Sequence, residues 1–128
     1  MGIHHALIID DNPNNIEVLN LLLQKEGVTS TTVQSLREAK QIIEEIGRVD
    51  VIFLDLEFPN GDGFGFFKEL KLMPHIADVA VIAYSVHTSE IDKVRYAGFT
   101  GFLGKPLDMQ RFPGQLKRIL SGVPVWEV

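Results

Sequence analysis

Five short apolar runs, rich in valine and isoleucine, alternate along this chain with five segments of helical period, and that alternation leaves few ways to fold. The runs are Ile3 to Ile9, Val28 to Val33, Val51 to Leu54, Val79 to Tyr84 and Gly101 to Leu103. Such runs match strands buried on both faces, as in a parallel sheet. Between them, Ile16, Leu19, Leu22 and Leu23 form one apolar stripe, ended by Gly27 where helices commonly turn left-handed. Ala39, Ile42, Ile43 and Ile46 form a second, opened by the capping box Ser35 with Glu38 and closed by Gly47. A third helix is predicted near Phe64 to Leu72, ending before Pro74, and a fourth over roughly Ser89 to Ala97, ending at Gly98. The last carries Leu116, Ile119 and Leu120, with Pro113 in its first turn.

Strands joined by helices run parallel, with right-handed crossovers. The predicted fold is therefore α/β: a three-layer α/β/α sandwich, (βα)5, around a five-stranded parallel sheet. Its strand order, 2-1-3-4-5, is taken by analogy with flavodoxin-like folds rather than derived. A chain of 128 residues, 45% hydrophobic, suits one packed domain. The absence of cysteine excludes a disulfide framework and any thiolate metal site. Seventeen acidic residues against twelve scattered basic ones give a formal charge of -5, so direct nucleic-acid binding is not expected. The apolar runs fall far short of the ~20 residues that span a bilayer, and no basic segment with a long apolar one opens the chain. A soluble, cytoplasmic protein without membrane association is the expectation.

Asp10 and Asp11 follow Leu7-Ile8-Ile9, and Asp55 follows Val51-Ile52-Phe53-Leu54. In the expected order strands 1 and 3 are neighbours, and the carboxyl ends of parallel strands form the crevice where ligands bind. Three carboxylates gathered there either raise one another's pKa or bind a cation, and an oxygen-only donor set favours a hard ion, Mg²⁺ rather than a full calcium cage. The plainer reading is that Asp10 or Asp11 caps the helix beginning near Pro13. Lys105 follows Gly101-Phe102-Leu103-Gly104, and its stem can reach back to neutralise a carboxylate or grip a phosphate. A lone lysine there is more often a solvated surface residue, but Pro106 permits a cis bond in a tight turn that aims the preceding side chain inward. Ser85 ends strand 4, either adding a hydroxyl to the crevice or capping the next helix. No histidine base at a recognisable spacing makes it a hydrolase nucleophile.

Taken in order, Leu7-Ile8-Ile9-Asp10-Asp11-Asn12, Asp55-Leu56-Glu57-Phe58-Pro59-Asn60-Gly61-Asp62-Gly63, Ser85 and Phe102-Leu103-Gly104-Lys105-Pro106 resemble the receiver domain of bacterial two-component response regulators. The resemblance runs over roughly Ile3 to Leu120. It implies that Asp55 is the phosphorylation site, attacking a phosphohistidine on a sensor histidine kinase or histidine phosphotransfer protein. It implies too that Asp11 and Asp55 hold Mg²⁺ directly, Asp10 through water, and the Glu57 backbone carbonyl completes the protein ligands. Lys105 and Ser85 would contact phosphoryl oxygens, and Ser85 and Phe102 would be the switch pair. Phosphoryl transfer of this kind needs in-line positioning and charge neutralisation more than an acid-base pair. Phe58, Gly61 and Val86 depart from the commoner residues at their positions, and a bulky Val86 is expected to narrow access to Asp55. Glu57 and His87, two beyond Asp55 and Ser85, are expected to set the lifetime of the phosphorylated state.

Only 122–128 follow the predicted receiver of residues 1–121, so a stand-alone regulator with a short C-terminal tail is expected, the tail with Trp126 packing on the domain. By the resemblance it signals through a downstream protein docked on the helix 4, strand 5, helix 5 face, as a monomer or a phosphorylation-dependent dimer, and is not a free-substrate enzyme. Three other readings compete. Asp55-Leu56-Glu57 has the nucleophile-plus-two spacing of haloacid dehalogenase-like phosphatases, but no cap is visible. A flavodoxin-like FMN module would want glycines and hydroxyls where Asp10-Asp11-Asn12-Pro13-Asn14 stands. An unphosphorylated scaffold would fit better had an acid or the lysine been lost.

Overall fold

A computed structural model describes residues 4–58 and 63–127. Ile3 of the first predicted strand, Pro59-Asn60-Gly61-Asp62 of the loop motif, and Val128 lie outside the described residues. The elements are β1 (His5–Ile9), α1 (Pro13–Lys25), β2 (Thr29–Val33), α2 (Leu36–Glu45), β3 (Val51–Asp55), α3 (Gly63–Lys71), β4 (Ala80–Ser85), a 3₁₀ turn (Thr88–Glu90), α4 (Ile91–Ala97), β5 (Gly101–Gly104), α5 (Phe112–Leu120) and β6 (Val125–Glu127). The sheet runs β2-β1-β3-β4-β5-β6 and every pairing is parallel. The expected 2-1-3-4-5 order is present, extended by one strand. That strand lies within 122–128, where a short tail was expected.

Alternation along each strand sorts the core into two layers. Leu7, Ile9, Ile52, Leu54, Val81, Ala83 and Phe102 pack with Ala39 and Ile43 of α2, Phe66, Phe67 and Leu70 of α3, and Val94 of α4. Ala6, Ile8, Val51, Phe53, Ile82, Tyr84 and Leu103 pack with Ile16, Leu19, Leu22 and Leu23 of α1 and Phe112, Leu116 and Ile119 of α5. Each fully buried leucine or isoleucine contributes roughly 1.5–3 kcal/mol.

The helix ends follow local chemistry. Asn12, not Asp10 or Asp11, caps α1: its side-chain oxygen accepts the amides of Asn14 (2.9 Å) and Asn15 (3.3 Å), with Pro13 in the first turn. Ser35 caps α2 by accepting the Glu38 amide at 3.1 Å. That helix stops without a left-handed glycine, because Ile46 turns extended (φ -70°, ψ 139°) one residue before Gly47. Gly27 (φ 75°) does take the left-handed conformation expected of it, and Gly98 (φ 102°), where the fourth helix was expected to end, takes it too.

Gly101 is tied to the added strand. A Cβ there would lie 2.6 Å from the Val125 carbonyl oxygen and 3.0 Å from Ile82 Cδ1, so any larger residue must push β6 aside. Gly101→Ala is expected to loosen β6 and cost roughly 1–3 kcal/mol. The emission of the single tryptophan, Trp126, and the urea midpoint both report it; an unmoved emission would contradict the packing.

Candidate functional site

The alternation that sorts the core also builds the site. Asp10, Asp55 and Lys105 each stand two residues beyond a core residue of the α1–α5 layer, namely Ile8, Phe53 and Leu103. Period two therefore carries all three side chains to the same side of the sheet, at the carboxyl ends of adjacent or nearly adjacent strands. Lys105 directly precedes a cis bond, the Lys105–Pro106 peptide.

The contacts are close. Lys105 Nζ donates to Asp55 Oδ1 at 3.0 Å and stands 3.6 Å from Asp10 Oδ2. Asp10 is fully buried, its Oδ1 accepting the Asn12 amide at 2.8 Å and its Oδ2 the Tyr84 hydroxyl at 2.5 Å. Asp55, 2% exposed, accepts the Glu57 amide at 3.0 Å on the same Oδ1 that holds Lys105. One carboxylate oxygen from each of Asp10, Asp11 and Asp55 lies within 4.8 Å of the others. An open cleft of about 440 Å³ gives access between Asp11, Asn15, Asp55, Glu57, Val86 and Lys105. Val86 is 57% exposed at its rim.

Burial pushes the Asp55 carboxyl up to about 6, with the Asp10 charge adding, while the Glu57 amide and Lys105 pull the other way. Burial and the Asp10 carboxylate push the Tyr84 phenol far above its ordinary value, so it stays a neutral donor. Three carboxylates against one ammonium leave the pocket short of positive charge, and such a deficit is costly when buried. With oxygen as the only donor type, the residues fit a hard divalent cation.

Tyr84 is the site residue that the sequence reading left out. It donates to Asp10 and presents its ring 4.4 Å from Lys105 Nζ. Ser85 and Glu57 both hold the loop after β4. Ser85 is fully buried and its Oγ accepts the His87 amide at 2.8 Å, anchoring the loop after β4 instead of capping a helix. Glu57 Oε1 accepts the Val86 amide at 3.1 Å, and its buried Oε2 has no partner among the described residues. The Glu57 side chain, expected to set the lifetime of the phosphorylated state, thus clasps the loops after β3 and β4 together. His87 is exposed, and Phe102 is buried in the layer of α3 and α4, on the face opposite Lys105.

A family model described as the response regulator receiver domain matches residues 6–117. The chain belongs to that family. Among curated proteins, this receiver is 28% identical over 123 residues to the signal transduction histidine-protein kinase BarA of Escherichia coli, covering 91% of the chain but only 13% of the kinase. It is 27% identical to the polar-differentiation response regulator DivK of Brucella anthropi, covering 91% of the chain and 95% of DivK. Among solved structures, a CheY-like receiver domain from Methylobacillus flagellatus superposes with a TM-score of 0.82 at 26% identity, covering 92% of this receiver and 99% of that one. The receiver domain of a histidine kinase from Syntrophus aciditrophicus gives 0.79 at 30% identity, covering 94% and 92%. No described helix of the receiver is long and apolar enough to cross a membrane.

Proposed function

We propose that this receiver is the phosphorylation-switched module of a two-component phosphorelay, accepting a phosphoryl group on Asp55 from a sensor histidine kinase or histidine phosphotransfer protein. The observation that carries the reading is which carboxylate oxygen is left free. Both oxygens of Asp10 are engaged, by the Asn12 amide on one side and by Tyr84 and Lys105 on the other. Both donors to Asp55 fall on Oδ1, so among the described residues Oδ2 faces no donor and is available for attack. A carboxyl titrating near 6 is mostly anionic at neutral pH and is thus a competent nucleophile. The Asp55 oxygen bonds to phosphorus as the phosphorus–nitrogen bond of the donor breaks, the imidazole leaving with the electron pair. Lys105, already on Asp55, is placed to neutralise a phosphoryl oxygen.

Asp11, Asp55, Asp10 through water, and the Glu57 carbonyl would hold Mg²⁺, which supplies positive charge against the transferring group. In this reading the Ser85 hydroxyl, whose oxygen accepts the His87 amide, donates its hydrogen to a phosphoryl oxygen, with Phe102 repacking behind it. The output is altered docking of a partner on the α4, β5, α5 face, and the chemistry is self-catalysed transfer and hydrolysis rather than turnover of a free substrate. Incubation with acetyl phosphate and Mg²⁺, read by intact mass, tests the reading: one phosphoryl group that depends on the cation is expected. An unmodified chain would favour a binding scaffold. Glu57→Ala, which frees the loop after β4, and His87→Ala are each expected to change the dephosphorylation rate several-fold, followed by loss of the adduct with time. Unchanged rates in both would remove these residues from the account.

A further inference from the structure

β5 does not end the sheet. Val125–Glu127 lies parallel along its edge, pairing Val125 with Gly101, Trp126 with Phe102 and Glu127 with Leu103. Three residues make a short ladder, and the side chains supply the rest of the hold. Val125 is buried against the α1–α5 layer. The Arg95 guanidinium of α4 sits 4.7 Å from the Trp126 ring centroid. Gln115 of α5 and Arg111, just before that helix, donate to Glu127 Oε1 at 2.8 and 2.5 Å, and Arg118 pairs with Oε2 at 2.8 Å. Gln115, 4% exposed, directs its amide to that carboxylate and, with the two arginines, holds the Glu127 carboxyl below its ordinary range.

The β5 edge between α4 and α5 is therefore a built groove that reads an apolar, an aromatic and an acidic residue in succession. Gly101 clears its floor for the incoming backbone. The element filling it is short and is reached through an exposed link. Residues 121–124 are exposed, Gly122 turns left-handed (φ 85°), and Trp126 and Glu127 are only partly buried. A segment so held detaches at far lower cost than a central strand. Its departure would leave an open strand edge flanked by Arg95, Arg111 and Arg118, a surface suited to strand addition by an acidic extended segment.

We propose that the groove along β5 is a docking site for an extended partner segment of apolar, aromatic and acidic residues, and that β6 fills it as an intramolecular competitor. The inference rests on the reading of this face as the output side and names the chemistry of the partner. Held in cis, β6 has the advantage of effective concentration, so the partner binds only when the strand is loosened. The groove also borders the acidic site: a cavity of about 180 Å³ is lined by both Lys105 and Glu127, together with Leu107, Arg111 and Gln115.

A fluorescently labelled peptide of the sequence 122–127 is the probe, titrated by anisotropy into the whole chain without any phosphoryl donor. Phosphorylation plays no part in this assay, so its failure leaves the acceptor site standing, and failure of phosphorylation leaves the groove standing. Glu127→Lys repels the chain's own strand from Arg111 and Arg118, and this variant is expected to bind the peptide at least tenfold more tightly than the native chain. Equal binding to both, or binding to neither, overturns the proposal. Should the variant fail to fold, a peptide carrying phenylalanine in place of tryptophan is titrated into the native chain. Displacement of Trp126 then shifts its emission to the red, and an unmoved emission at saturating peptide overturns the proposal. A native chain that dimerises by exchanging β6 would overturn it as well, by making a second copy the occupant.

Discussion

Asp55→Asn is expected to accept no phosphoryl group from acetyl phosphate or from a phosphorylated donor protein. The substitution is nearly isosteric, and the asparagine oxygen can still accept from Glu57 and Lys105 in place of Oδ1. The fold should survive, and what disappears is the anionic oxygen that bonds to phosphorus. Lys105→Met should lower the phosphorylation rate by about 10²–10³, the usual effect of removing one preorganised charge from developing negative charge. Asp10→Asn differs from both, since Asp10 has no free oxygen, fixes Tyr84 and Asn12, and in the proposed reading would hold the cation only through water. It should weaken the dependence on Mg²⁺ while leaving Asp55 able to react. Phosphorylation in Asp55→Asn at the native rate would place the acceptor elsewhere.

The second large effect is on stability. With divalent cations chelated, the native chain is expected to be more stable near pH 4 than above about pH 6. The Asp55 carboxyl titrates near 6 when folded against an ordinary 3.8, so the folded state holds this proton more tightly than the unfolded one. The resulting stabilisation is complete below about pH 4, declines as pH rises, and is gone above about pH 6, a span worth roughly 3 kcal/mol at most. Asp55→Asn removes the titration and should flatten that part of the profile, leaving the variant more stable than the native chain at neutral pH. Saturating Mg²⁺ should close the gap, because a ligand at a hundred times its Kd adds about 2.7 kcal/mol. Urea denaturation across the pH range, with chelator and with Mg²⁺, reads all three effects. Parallel profiles for the native chain and Asp55→Asn would deny the buried charge its role.

Much of this was legible because the strands obey one period and the acids sit at their ends. The five predicted runs appear as strands within a residue or two of their expected bounds, and period two places Asp10, Asp55 and Lys105 on one side. β6 escaped because Val125-Trp126-Glu127 is too short for periodicity to register and because its anchors, Arg95, Arg111, Gln115 and Arg118, belong to other elements. Gly101, which opens β5 with no side chain, was its one local trace. The cap of α1 was misplaced among adjacent Asx residues, although Pro13 at the first helical position already pointed to Asn12. Tyr84 was hidden because it continues a buried strand as any aromatic would, and only the fold brings its hydroxyl to Asp10, 74 positions earlier in the chain.

The central claim is that a phosphoryl group lands on Asp55 and on no neighbouring acid, and borohydride trapping tests it most directly. Reduction converts an aspartyl phosphate to homoserine, which peptide sequencing by mass spectrometry locates. After treatment with acetyl phosphate and Mg²⁺, homoserine is expected at position 55 alone. Homoserine at position 10 or 11, or its absence from a chain that has gained phosphoryl mass, would contradict the account.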